Sequence, residues 1–205
     1  MIKRILYLYI LIMCPGLAFA QINTDRVMAI GRNALYFEDY VLSIQYFNQV
    51  VNAKPYLADP YFYRGLAKIN LDDFQGAESD CSEAIERNPF VVSAYQVRGL
   101  ARIRQNKFDE AIETFQKVLS FPVEEENLNT QQQVIYTEAL MQLMNTYQSK
   151  GEPEACIAAL REVFKASPLW QGSCLRDYYV VMGYALSRTE RMKEAEETML
   201  KALTL

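Results

Sequence analysis

The chain has 205 residues, 51% of them apolar and 22% charged, with a formal net charge of −4. That is enough apolar material for one compact domain or a short solenoid, and too much for a disordered chain. A mildly acidic chain without a clustered basic stripe is no candidate for nucleic acid. With no histidine, Ser-His-Asp and Cys-His catalysis and His-ligated zinc are excluded.

In chain order, the first element is an export signal. Lys3 and Arg4 form a short positive region, and Ile5 to Met13 is an unbroken apolar run too short to anchor in a bilayer. Cys14-Pro15-Gly16 breaks the run, and Ala18-Phe19-Ala20 places small residues where a signal peptidase reads. The segment resembles a bacterial Sec signal. Residues 1–20 are therefore expected to be removed after Ala20, giving a periplasmic or cell-envelope protein. Cleavage removes Lys3 and Arg4 and leaves a net charge of −6. Two alternatives stand beside this: an uncleaved anchor helix, and lipidation of Cys14. Leu11-Ile12-Met13-Cys14 resembles a lipobox, departing from it at Met13. Membrane association is expected only if Cys14 is lipidated.

A repeat follows. Tyr61-Phe-Tyr-Arg-Gly-Leu-Ala-Lys-Ile aligns with Tyr95-Gln-Val-Arg-Gly-Leu-Ala-Arg-Ile at a shift of 34 residues. Gly31, Gly65 and Gly99 mark the same period, each followed at fixed offsets by a small residue (Ser43, Ala77, Ala111) and then by Val50, Ala84 or Val118. Pro55 and Pro89 close the first two units, and Pro122 comes one residue early in the third. Met144, Cys156, Val163 and Pro168 keep the offsets in a fourth unit, and Gly183, Ala195 and Ala202 in a fifth. Apolar residues at three- and four-residue spacing make each half-unit an amphipathic helix, and one hairpin cannot bury its apolar face alone. Glycine in mid-helix costs about 1 kcal/mol against alanine, so Gly65 implies close helix approach, with Ala77 facing it. Asp72 and Asp109 are placed to cap or charge the second helices. Insertions are expected near 122–136 and 169–175, the first carrying an exposed acidic loop with Glu124, Glu125 and Glu126.

This pattern of aromatic, glycine, alanine and proline positions resembles the tetratricopeptide repeat. The resemblance covers residues 24 to 205, with Arg64, Arg98 and Met144 departing from it. It implies an all-α, right-handed α-solenoid of about five helical hairpins over 21–205, in units of about 24–57, 58–91, 92–125, 137–170 and 176–205. It also implies a non-enzymatic scaffold that binds a protein or peptide, with no catalytic residues, metal, cofactor, small-molecule substrate or nucleic acid. In this family the first helix of each unit lines a concave groove. The corresponding residues here are Met28, Arg32, Leu35 and Tyr36 in unit one, Phe62, Leu66, Ile69 and Asn70 in unit two, and Gln96, Leu100, Ile103 and Arg104 in unit three. The Lys, Asn and Arg clamp for a C-terminal carboxylate is missing, so an apolar partner segment is expected; in the alternative, these side chains pack on one another.

Three features stay open at this level. Cys81 and Cys156 read as small core residues, while Cys156–Cys174 is a possible disulfide. Trp170 is either a partner anchor or packs against unit five. Leu200, Leu203 and Leu205 leave an apolar C-terminal end that a second copy would cover, making a homodimer an alternative to the groove-binding reading. An outer-membrane-assembly type of lipoprotein is another, and it depends on Cys14.

Overall fold

The computed structural model describes residues 23–122 and 129–205. The expected leader, Cys14 and the acidic residues Glu124 to Glu126 lie outside the described residues. Ten α-helices are present among those described: α1 Thr24–Tyr36, α2 Tyr40–Ala53, α3 Asp59–Asn70, α4 Phe74–Arg87, α5 Val92–Arg104, α6 Phe108–Leu119, α7 Thr130–Lys150, α8 Pro153–Ala166, α9 Leu175–Ser187 and α10 Met192–Leu203. They pair into five hairpins. The odd-numbered helices also touch one another in sequence, α1 to α3 to α5 to α7 to α9, and so form one layer with the even-numbered helices outside it. Among the described residues no helix is long and apolar enough to cross a membrane.

Local sequence explains the hairpin ends. Asn23, Asp39 and Asp73 each accept a backbone N–H at the start of a helix, from Arg26, Leu42 and Gly76. The cap of α4 is thus Asp73, not Asp72 as the sequence suggested. Asp72 instead takes the left-handed backbone of the turn (φ 60°), and Glu38 (φ 63°) and Asn106 (φ 60°) do the same in units one and three. Asp109 lies in the first turn of α6, where its charge suits the helix dipole, and it also pairs with Lys150 at 2.7 Å. Helices α2, α4 and α8 end two residues before Pro55, Pro89 and Pro168.

The small residues work as their period implies. A Cβ on Gly99 would lie 2.5 Å from the Phe115 ring, and one on Gly65 would lie 2.9 Å from Cys81 Sγ and 3.2 Å from the Ala77 carbonyl oxygen. Glycine is what lets the two helices of a hairpin touch. The core runs along the stack in three linked patches: Met28, Phe47 and Val50; then Tyr61, Cys81, Ala84, Ala94 and Val97; then a larger one from Tyr95 through Leu143 and Leu160 to Val181.

The two insertions differ from a simple loop. The fourth unit's first helix begins at Thr130 rather than near 137, because Asn129 and Gln132 form a reciprocal capping box there. The second insertion makes a 3₁₀ turn over Pro168–Gln171 that drives Trp170 into the core, fully buried. Trp170 is therefore a packing residue between units four and five and offers nothing to a partner. Cys156 is a buried free thiol, so the Cys156–Cys174 disulfide is not formed; Cys174 is buried as well. Burial alone pushes the Cys156 thiol up to about 12, and burial with the neighbouring Asp80 charge does the same for Cys81, so neither is a thiolate nucleophile.

Candidate functional site

The inner layer presents the residues that the repeat pattern singles out, but in two different states. Phe62, Leu66 and Ile69 on α3 are half-buried against Tyr61, Ala84, Ala94 and Val97. Ile103 on α5 packs half-buried on the next patch, and Leu100 is half-buried as well. Met28 is 7% exposed and leans on Phe47 and Val50. The Gln96 side-chain amide donates to the Ile135 carbonyl oxygen (3.1 Å), tying α5 to α7. Asn70 donates to the Leu66 carbonyl of its own helix (2.7 Å). Most of the apolar surface expected in the groove is thus used in holding neighbouring units together. Leu35 is half-buried, and Arg32, Tyr36 and Arg104 remain exposed, with Arg104 paired to Asp72 at 3.1 Å.

Open space remains at both ends of this layer. At the N-terminal end a cavity of about 630 Å³ is bounded by Asp25, Met28 and Arg32 of α1, Asp59 of α3, Tyr56 in the intervening loop, and Arg87 and Asn88 at the end of α4. One wall is fixed. The Arg87 guanidinium lies 4.0 Å over the Tyr61 ring, donates to the Tyr61 hydroxyl (3.1 Å) and to the Pro55 carbonyl, and pairs with Glu83. The facing groups are unspent. Arg32 rests near the Tyr63 ring (5.8 Å), and neither it nor Asp25 nor Asp59 has an ion-pair partner among the described residues. The cavity therefore offers Arg32 beside the already paired Arg87, two carboxylates, the methionine floor and an exposed tyrosine. A second cavity of about 580 Å³ lies toward the other end, between Asn145, Gln148 and Ser149 of α7 and Arg188 after α9.

Two buried charge clusters stiffen the wall behind the groove. Arg64, one of the departures from the repeat pattern, and Lys68 both reach Asp80 on α4. Arg64 does so through two nitrogens and Lys68 at 2.8 Å, with Asp80 almost fully buried. Arg64 also donates to Asn48 of the preceding unit (2.8 Å). On the same helix, the half-buried Glu78 receives Arg102 (2.8 Å), Lys107 (2.7 Å) and Gln105 (2.9 Å) from the next unit. Partial burial works against the Glu78 carboxylate, but these hydrogen bonds outweigh it and hold its pKa at about 2. Unit three has Thr114 at the place of Asp80. Arg98, the equivalent of Arg64, consequently has its Nε buried without a hydrogen-bond partner among the described residues, and burial together with Arg102 lowers its pKa. Sequence reading noted Arg64 and Arg98 as departures and missed Asp80 and Glu78. The available signal was the Arg64/Lys68 pair on one helix face, which requires an acid opposite it. Tyr56 and Arg87 were also missed, because loop and helix-end residues enter the cavity only through the inter-unit angle.

Comparison with known proteins places this arrangement. Residues 92–121 and 177–205 match the family model of the tetratricopeptide repeat. Sperm-associated antigen 1 of Rattus norvegicus is 35% identical over 95 residues, 46% of this chain; the match spans only 10% of that much longer protein. MamA from Desulfovibrio magneticus RS-1 superposes with a TM-score of 0.61 at 17% identity, covering 89% of this chain and 94% of that one. The first tetratricopeptide domain of Spaghetti (RPAP3), solved bound to the HSP90 peptide SRMEEVD, superposes with a TM-score of 0.53 at 27% identity, covering 62% of this chain and 95% of that one. Residues 92–121 and 177–205 thus carry the tetratricopeptide repeat, and the chain has the all-α, right-handed solenoid fold of such structures.

Proposed function

We propose that this chain is an exported, non-enzymatic interaction scaffold that holds an extended peptide segment of a partner protein at the N-terminal end of its concave layer. The observation that carries the reading is the cavity of about 630 Å³ in which Asp25, Arg32 and Asp59 face open space above Met28, with no ion-pair partner among the described residues. All three charged side chains are exposed to water, and their convergence on one concavity beside a methionine and a tyrosine gives a ligand both polar and apolar contacts. An extended backbone supplies what they need: amide N–H groups or a basic side chain for the carboxylates, and a carbonyl or carboxylate for Arg32. Met28 and Tyr56 accept one apolar side chain. The two carboxylates balance Arg32 and Arg87, so the cavity carries no net positive charge that would select a strongly acidic ligand. That separates this site from the one in Spaghetti (RPAP3), whose bound peptide SRMEEVD is acidic, although its groove supports peptide binding by a related fold.

Selection of a displayed peptide library on the folded protein tests the reading. Enriched peptides carry an apolar residue beside a polar or basic one and lose about ten-fold or more in affinity to an Arg32→Glu/Asp59→Lys variant, about 1.4 kcal/mol. An Arg188→Glu variant at the far cavity leaves them unchanged. Peptides that bind the groove variant as well as the parent overturn it. The export part is tested separately, by the intact mass of protein recovered from the envelope. A mature chain starting at Gln21 supports cleavage after Ala20, a lipid-modified chain starting at Cys14 replaces it with anchoring, and an uncleaved chain removes the proposal.

A further inference from the structure

We infer that the exposed α9–α10 face is a homodimer interface, on which a second copy of this chain packs α10 against α10 about a two-fold axis. The repeat itself shows that this face is built to be covered. Val180, Tyr184 and Leu203 stand at the same offsets from Gly183 as Phe62, Leu66 and Ile85 do from Gly65. In unit two all three are half-buried in the patch that the next helix, α5, completes with Ala94 and Val97. In unit five they are 37%, 54% and 81% exposed, and among the described residues no helix lies on them. Leu200 and Met192 on α10 add further exposed apolar surface. A cavity of about 480 Å³ opens between α9 and α10 over Met199 and Ala202, which leaves room for an inserted side chain.

The other end of the molecule does not fit this face. At the offsets where α5 offers Ala94, Val97 and Ala101 to its neighbour, α1 has Arg26, Ala29 and Asn33. Arg26 and Asn33 are exposed, and head-to-tail stacking would bring both onto the apolar Ala202 and Leu203, with the cation Arg176 beside them. A second copy that presents the same face avoids this mismatch, and such a contact is closed and two-fold rather than filamentous. Charge selects the direction. Glu196 and Glu197 have no ion-pair partners among the described residues, and Lys201 lies in the last turn of the same helix, near the Tyr179 ring. Antiparallel pairing brings each Lys201 toward the partner's acidic half and opposes the two helix dipoles. Two helices of 13 and 12 residues offer about 20 Å of packing length. That is a small contact beside the roughly 800 Å² per partner of a standard interface, so a reversible dimer is expected.

Sedimentation velocity over about a hundred-fold concentration range, on protein purified after expression of the full chain, tests this. The mass is expected to rise from monomer to twice the monomer and stop. Leu200→Glu/Leu203→Glu, both at exposed positions, is expected to stay monomeric with unchanged helix content. Lys201→Glu weakens self-association about ten-fold, and mixing it with Glu196→Lys/Glu197→Lys restores a heterodimer. A parent chain that stays monomeric throughout, a dimer indifferent to these variants, or growth into a ladder of larger species overturns the inference.

Discussion

Asp80→Ala tests the buried charge cluster directly. It deletes the one acid to which Arg64 and Lys68 are both bound, in a place where the side chains of Asp80, Arg64 and Lys68 are 5%, 16% and 23% exposed. Removing one partner of a buried ion pair costs about 3–5 kcal/mol, because the other charge stays behind uncompensated. Both cations keep some water contact, which puts the cost at the low end, about 3 kcal/mol. For a domain of this size that corresponds to a fall in Tm of about 6–12 °C. Urea and thermal unfolding followed by circular dichroism measure it, and the fluorescence of the single tryptophan, Trp170, reports whether the C-terminal units unfold in the same transition. The charge explanation makes a second demand. Arg64→Leu/Lys68→Tyr/Asp80→Ala removes the whole cluster and leaves no stranded charge, so it is expected to recover to within about 1 kcal/mol of the parent. A loss below about 1 kcal/mol in the single variant, or a triple variant as unstable as the single, refutes the reasoning.

Glu78 sets a pH dependence. Its pKa is held at about 2 against an ordinary 4.5, so its stabilising effect is complete above about 4.5 and disappears as pH falls toward 2. Glu78→Gln is expected to be less stable at neutral pH and to converge with the parent in acid unfolding; a constant gap between the two curves argues against it. Glu38→Gly relieves a left-handed backbone that costs an ordinary residue about 1–2 kcal/mol, and a raised urea midpoint is the expected result. Trp170→Ala opens a cavity in the core and costs about 3–5 kcal/mol in chemical denaturation. Trp170→Phe is expected to cost far less, because it also removes an indole N–H that is buried without a hydrogen-bond partner among the described residues.

Much of the architecture is written locally. Gly31, Gly65 and Gly99, with the alanine and proline positions that follow them, mark where each hairpin turns, touches and ends, and the structure puts close contacts at those glycines. Amphipathic spacing is enough for this because each helix answers to neighbours within one 34-residue period. The groove was legible only in outline. Met28 and Arg32 do line the N-terminal cavity, but Phe62, Leu66 and Ile69 are half-buried in inter-unit packing, and no pattern along one helix says how far the next helix leans over it.

By itself, the sequence determined the helix-hairpin repeat, its period, its all-α class and the positions that must be small, since these follow from side-chain size and apolar spacing within each unit. Only the tertiary structure decided which acid answers Arg64 and which cations answer Glu78, that Trp170 turns inward, and that Tyr56 and Arg87 join Arg32 around one cavity. Each of those depends on the crossing angle between successive hairpins. That angle is the sum of many small packing contacts between residues distant in the chain, and no single stretch of sequence contains it.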